Sequence, residues 1–426
     1  MGRGTQSPVA RYRPSTARVA ACCLVGGALI STGSAQEAVR ASLAGEEAAA
    51  ARRTAASSPG YYNLQLGPTA WRISTGLGFE ANDNIRLVEQ GTEGDLIFRP
   101  EVTTHTVWPL TDKNSLNLSV GAGYSAYARN SDLDRFFITP GSELSFDLYV
   151  GDCWINVHDR ISITENSYQD PTVVGVGNYS QLQNDVGVTA TWDLNELVLQ
   201  AGYDHVNYAL LSGASGDSDG SSEVFNLSAG CNFEPGLQAG LEVGGGILSY
   251  SGTQATFTRA YDWNVGPFLE LQLTEKLRLR ADAGYTVYSP EAVPSQPDPG
   301  DFTAVYGQVS LVHQISERVD YTLSGGRTIN FAFFGGTIDL FSVQVQTNWK
   351  VIRGFDLSAF FQYDHGAQVF TGQEDFDRYG PGVGLGHRFN AKLSSSLRYQ
   401  FYQRQSNLAG GDYSVNSLTL NLTYQL

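Results

Sequence analysis

The sequence predicts an all-β fold: a transmembrane antiparallel up-and-down β-barrel of about 18 strands over residues 70–426. Three observations predict it. Apolar and polar side chains alternate through run after run of strand length. Short and long connections take turns between the runs. Trp gathers at one end of the runs and Tyr at the other. Residues i and i+2 share a face of a strand, so alternation makes one oily and one polar face. So many two-faced strands are accommodated by closing the sheet, with lipid outside and water inside.

In chain order, residues 1–35 read as an export signal. Arg3, Arg11, Arg13 and Arg18 are its basic region, Val19–Ile30 its short apolar run, and Gly33-Ser34-Ala35 the small residues expected at a cleavage site. Residues 36–69 form an Ala-rich periplasmic segment, broken by Ser57-Ser58-Pro59-Gly60 and too poor in large apolar residues to bury a core.

The strands then follow at 70–80, 95–108, 115–127, 136–150, 153–163, 179–192, 197–208, 223–233 and 237–250. The second half reads 260–272, 277–288, 302–315, 319–332, 338–350, 355–366, 378–389, 392–404 and 413–426. One mis-split hairpin would make the count sixteen or twenty. Connections such as Gly151–Asp152 and Asn390–Ala391 are short, while 81–94, 164–178 and 209–222 are long. Outer-membrane barrels have short periplasmic turns and longer external loops. The bacterial outer membrane is therefore the expected location.

Trp71, Trp108, Trp154, Trp192 and Trp349 fall at the short-turn ends and, with Tyr424, form the expected aromatic girdle. Mean hydropathy is only −0.20, as suits strands in which every second residue avoids lipid. No apolar run after the leader is long enough for a spanning helix. Without its leader the chain keeps 23 basic and 43 acidic residues, a formal charge of −20, which repels nucleic acid. Cys153 and Cys231 lie about three strands apart, beyond disulfide reach, and read as small apolar fillers.

The polar faces supply the candidate lumen residues. Strand 95–108 contributes Arg99, Glu101 and His105; strand 277–288 contributes Arg278, Arg280, Asp282 and Tyr288; strand 392–404 contributes Arg398, Tyr402 and Arg404. Arg recognises acidic groups and aromatic faces stack on sugars. A barrel of this size leaves an aqueous channel. No cofactor, metal ligand set or catalytic centre is expected. Asp217-Ser218-Asp219-Gly220 is only a fragment of a Ca²⁺ loop, and no His spacing matches a metal motif. Asp204-His205 and Asp364-His365 are adjacent pairs whose members point to opposite faces, so neither is a dyad by itself.

Gly76-Leu77-Gly78-Phe79-Glu80-Ala81-Asn82-Asp83-Asn84-Ile85, a first strand ending in an Asp-Asn-Ile turn, resembles the putative β-barrel porin 2 family. That family includes exopolysaccharide-associated outer-membrane porins of the EpsL type. The resemblance implies an outer-membrane pore, with polysaccharide export among its roles. The expected function is passive passage of hydrophilic solutes, without enzymatic turnover. The rival readings are a structural or adhesive barrel with a loop-occluded lumen, and a barrel hydrolase. Expected partners are outer-membrane lipid and lipopolysaccharide, small hydrophilic solutes or polysaccharide, and the barrel-insertion machinery. The chain ends in Leu426 where barrels usually carry Phe or Trp, so insertion is expected to rely on Tyr424 and the apolar ladder.

Overall fold

A computed structural model describes residues 61–165, 180–212, 219–251, 257–292, 300–332, 336–369 and 374–426. The expected export signal and residues 36–60 of the Ala-rich segment lie outside them. The strands are β1 Leu64–Leu66, β2 Thr69–Asn82, β3 Asp95–Pro109, β4 Ser115–Tyr127, β5 Arg135–Val150, β6 Cys153–Thr164 and β7 Ser180–Asp193. Next come β8 Leu197–Ser212, β9 Asp219–Glu234, β10 Leu237–Ser251, β11 Phe257–Thr274, β12 Leu277–Ala292 and β13 Phe302–Gln314. The chain ends with β14 Val319–Ala332, β15 Gly336–Ile352, β16 Phe355–Gln368, β17 Asp375–Arg388, β18 Leu393–Ser406 and β19 Tyr413–Gln425.

Strands β2 to β19 pair antiparallel in chain order, and β19 returns to β2 over Ser417↔Asn82 to Gln425↔Ser74. Eighteen strands thus close into a barrel, in which the β13–β14 ladder is the short one, running from Gly307↔Arg327 to Gln314↔Asp320. The short β1, which the sequence reading had not anticipated, pairs with the first residues of β2, from Leu64↔Trp71 to Leu66↔Thr69. It occupies the edge of β2 just where β19 runs out, and Gly67 turns the hairpin at φ +60°.

Burial is reversed relative to a water-soluble sheet. Leu77, Phe79, Leu96, Phe98, Val157 and Leu227 are exposed on the outer wall. Their inward neighbours Glu80, Asn82, Asp95, His158 and Arg160 are buried. An oily exterior of this extent is stable only against lipid.

The abundant glycine has a packing reason inside the wall. Aromatic rings on the inner face lie flat over glycines of the adjacent strand: Phe360 on Gly382, Tyr402 on Gly380, Phe376 on Gly366 and Phe137 on Gly123. A Cβ at any of these glycines would overlap the ring. The pairing fills the gap left by a missing side chain and keeps the ring against the wall.

The expected strands are all present, but several run longer. β8 reaches Ser212 and β9 begins at Asp219, inside the expected loop 209–222. Asp219 to Ser222 carry no alternation, yet their backbone still pairs with β10. Pairing extends past the stretch in which lipid imposes a pattern on the side chains.

Replacing Leu227, 58 % exposed in mid-strand, by Arg places a charge in the bilayer and should cost about 2–4 kcal/mol. Reversible urea unfolding from lipid vesicles measures this; an unchanged stability would mean that position 227 faces water.

Candidate functional site

On β2 to β7 the inner face is packed down to the short turns, at His105, Asn117, Ser145 and Asn156, whereas on β12 to β18 it divides into two zones. Toward the short turns it carries exposed polar side chains: Arg278, Arg280, Gln308, Asp356 and Arg398. Arg280 Nη1 donates to Glu270 Oε1 at 2.6 Å, and both remain solvent-exposed. Toward the long loops the inner face is packed. Tyr288, Tyr402, Arg404, Arg378 and Asp364 are buried there.

The first long loop, between β2 and β3, contributes to this filling beside β16, β18 and β19. Its Leu87 is 1 % exposed and packs with Tyr402, Tyr413 and Val415, beside Phe360. All of these except Leu87 belong to inward positions of β16, β18 and β19. The loop is held by the Asp-Asn-Ile turn. Asp83 accepts from the backbone N–H and the Nδ2 of Asn416, both at 2.7 Å. Asn84 Nδ2 donates to the carbonyls of Val88 at 2.8 Å and Ser414 at 2.9 Å, while its Oδ1 accepts from the Val88 N–H. Ile85 is buried. Leu87 sits at φ +50°, a costly conformation for a bulky residue, and is kept there by this framework. Arg86 Nε reaches Glu93 Oε2 at 2.8 Å, closing the loop on itself.

Charged pairs line the filled zone. Arg378, 0 % exposed, donates from Nε and Nη2 to Asp364 Oδ2 at 2.8 and 2.6 Å. The other carboxylate oxygen accepts from Ser342 at 2.8 Å and Gln362 at 3.1 Å. The Arg378 guanidinium lies 5.0 Å from the Tyr402 ring centre, and that of Arg404 lies 3.9 Å from Phe376. Arg404 also meets Glu374 at 2.8 Å. Across the β19–β2 seam, on the neighbouring arc, Arg99 pairs with Glu80 and with Glu165, which also accepts from Ser125. Low dielectric makes such pairs rigid when complete and costly when broken.

The candidate lumen residues therefore split. Arg278, Arg280 and Arg398 face accessible space, with Asp282 beside them half-buried. Tyr288, Tyr402 and Arg404 point inward but are packed away from solvent, because the long-loop half of the interior is filled. Arg99 and Glu101 are half-buried in the wall of β3. His105 is buried near the short-turn mouth, where the rings of Tyr61 and Tyr62 lie 5.6 and 6.0 Å away. Of the aromatic set, Trp108, Trp192, Trp349 and Tyr424 are exposed on the outer wall, and Trp71 is half-buried on that face. Trp154 departs from the set. It shares the inward parity of Asn156 and His158, and its Nε1 donates to Asp147 at 3.1 Å.

Sequence reading missed Leu87, Tyr413, Arg378 and the buried partner of each Asp-His pair. Two Tyr-Asp-His tripeptides, 203–205 and 363–365, would have flagged the last. In each, Asp turns inward to a buried cation-type side chain, Asp204 to His158 at 2.8 Å and Asp364 to Arg378. Tyr and His turn outward to one carboxylate of the next strand, Glu223 or Asp377.

A closed, lipid-facing barrel with a polar interior defines an outer-membrane protein of the porin type. The chain belongs to the family described as Putative beta-barrel porin 2, which it matches over residues 72–426. No match is found among curated proteins. Among solved structures, it resembles OpdQ from Pseudomonas aeruginosa, with 9 % identity, a TM-score of 0.51, and coverage of 85 % of this chain and 100 % of the other. A BenF-like porin from Pseudomonas fluorescens is similar at 11 % identity and TM-score 0.50, with the same coverage. So is OccK2 from Pseudomonas aeruginosa, solved with glucuronate, at 11 % identity and TM-score 0.50. At such identities the likeness speaks for the barrel fold alone.

Replacing Arg378 by Met leaves Asp364 as an uncompensated buried charge and should lower stability by about 3–5 kcal/mol. The same unfolding assay reads it out. A loss below about 1 kcal/mol would mean that water reaches the pair.

Proposed function

We propose that this protein is a passive channel for small hydrophilic solutes, narrowed on its external side by the loop between β2 and β3. The observation that carries the reading is the asymmetry of the interior on β12 to β18: exposed polar groups toward the short turns, and toward the long loops a packed zone to which the loop contributes Leu87. An 18-strand wall encloses more space than its own side chains fill, so an inserted loop sets the bore. Arg278, Arg280 and Arg398 place guanidinium groups in the accessible lumen, interspersed with the carboxylates of Glu270, Asp282 and Asp356, so that a passing carboxylate meets discrete cationic contacts. That favours entry of solutes bearing a carboxylate. Glucuronate, bound in the OccK2 structure, is a solute of this class. An exopolysaccharide role, which the sequence resemblance implies, would need a wider path on the external side than small solutes do. No turnover is required of such a channel.

The filled external half also favours a second reading, a structural or adhesive barrel with a permanently occluded lumen. Planar-bilayer recordings separate the two. The channel reading expects discrete conductance steps in the native protein and larger steps when residues 86–92 are replaced by a short Gly-Ser linker. Silence in the native protein, with steps only in the loop variant, would support occlusion. Replacing Arg278, Arg280 and Arg398 by Glu should shift the reversal potential toward cation selectivity; an unmoved potential would remove these side chains from the conducting path.

A further inference from the structure

A buried cluster on the inner faces of β5 to β8 is used neither by the Leu87 constriction nor by the exposed lumen. His158, Asp185 and Asp204 each present one ligand atom, and these atoms lie within 4.8 Å of one another. We propose that they form a binding site for one divalent transition-metal ion of the zinc class, set in the barrel wall and completed by water from the lumen.

The ring tautomer points this way. Asp147 is surrounded by donors: Asn117 Nδ2 at 2.8 Å, Trp154 Nε1 at 3.1 Å and Asn156 Nδ2 at 2.8 Å. Donation from Asn156 Nδ2 turns its Oδ1 toward His158 Nδ1, 2.9 Å away. Nδ1 therefore carries the proton and Nε2 faces Asp204 Oδ1 at 2.8 Å. A bare ring nitrogen and a carboxylate cannot share that spacing unless a cation, either a proton or a metal ion, lies with them. An outer carboxylate–amide chain that fixes the imidazole in this way is the usual support of a metal-ligating histidine.

Two further features favour the metal over the proton. Asp185 is 1 % exposed, and its Oδ1 has no hydrogen-bond partner although it is aimed into the cluster. Its other oxygen meets Arg160 at 3.3 Å, and Arg160 is shared with Glu143 at 2.9 Å. Glu143 and Asp185 share the Arg160 guanidinium and Asp204 faces His158, so that within this group three carboxylates stand against one guanidinium. A protonated ring would leave one negative charge over, whereas a divalent ion beside a neutral ring balances the group. Gly187 lets the two ligand side chains converge, since a Cβ there would overlap Asp204 Oδ1 and stand 2.7 Å from His158 Nε2. One imidazole and two carboxylates, with an open position, is a donor set suited to zinc.

Titration of the full-length, detergent-solubilised protein, purified without a histidine tag, with ZnCl₂ in a calorimeter tests the site. The expected result is one saturable ion per chain. His158→Gln and Asp185→Asn should weaken binding by at least about 100-fold, and Asn156→Leu by about 10–100-fold. Asp193→Asn, at the end of β7 beside a short turn, should leave it unchanged. Absence of stoichiometric uptake by the native protein would overturn the proposal, as would equal uptake by the folded His158 and Asp185 variants, which would assign the ions to surface acids. Should the variants fail to fold, the visible spectrum of Co²⁺ bound to the native chain decides. Bands of a low-coordinate nitrogen–oxygen site are expected, and the spectrum of hexaaqua Co²⁺ alone would contradict the site.

Discussion

The structure depends on one constraint: a backbone inside a bilayer finds no water, so every N–H and C=O in the wall must pair within the protein. The β2–β19 ladder meets it by closing the sheet, and β1 finishes the edge of β2 that β19 does not reach. Closure then dictates the side chains. Outside, Leu, Val and Phe face lipid. Inside, polar groups are forced into an enclosed space where each must find a partner. The internal ion pairs, from Arg99–Glu80 to Arg378–Asp364, follow from the same constraint.

A wide barrel has a second problem, the volume it encloses. Here the two ends are treated differently. Near the short turns the interior keeps hydrated Arg, Gln and Asp side chains. Near the long loops, rings lie on glycines of the wall, and the β2–β3 loop packs against the inner faces of β16, β18 and β19. The Leu87 loop is not a loose lid. Asp83 and Asn84 tie it to β19 through hydrogen bonds that span the barrel seam. The residues that close the sheet and the residues that narrow the bore are thus neighbours, which couples the constriction to the integrity of the barrel.

Much of the wall was legible in the sequence because lipid imposes a period of two on each strand. Leu277 to Tyr288 reads as a strand by alternation alone, and the structure places it so. Legibility failed where that pressure stops. Asp219 to Ser222 pair without alternation, and Leu64–Leu66 is too short to show any. The interior was half readable. Parity assigned Arg278, Arg398 and Tyr402 to the inner face, but it is silent on depth, so it could not distinguish exposed Arg398 from buried Arg404 three turns of the pleat away. It also misassigned Trp154, whose position at a strand end suggested a girdle while its parity put it inside. The Asp-Asn-Ile turn carried more than a family likeness. Its side chains are the anchor of the constricting loop, a role that only the pairing of residues 83 and 416 discloses.

The central claim is that alternate residues of one strand face lipid and lumen. Spin labels placed singly from Val224 to Gly230 of β9, in a background with Cys153 and Cys231 replaced by Ser, test it in lipid vesicles. The account predicts that oxygen accessibility peaks at 225, 227 and 229 and dips at 224, 226 and 228, with a polar nickel chelate out of phase. Accessibility without a period of two, or in phase for both reagents, would contradict it.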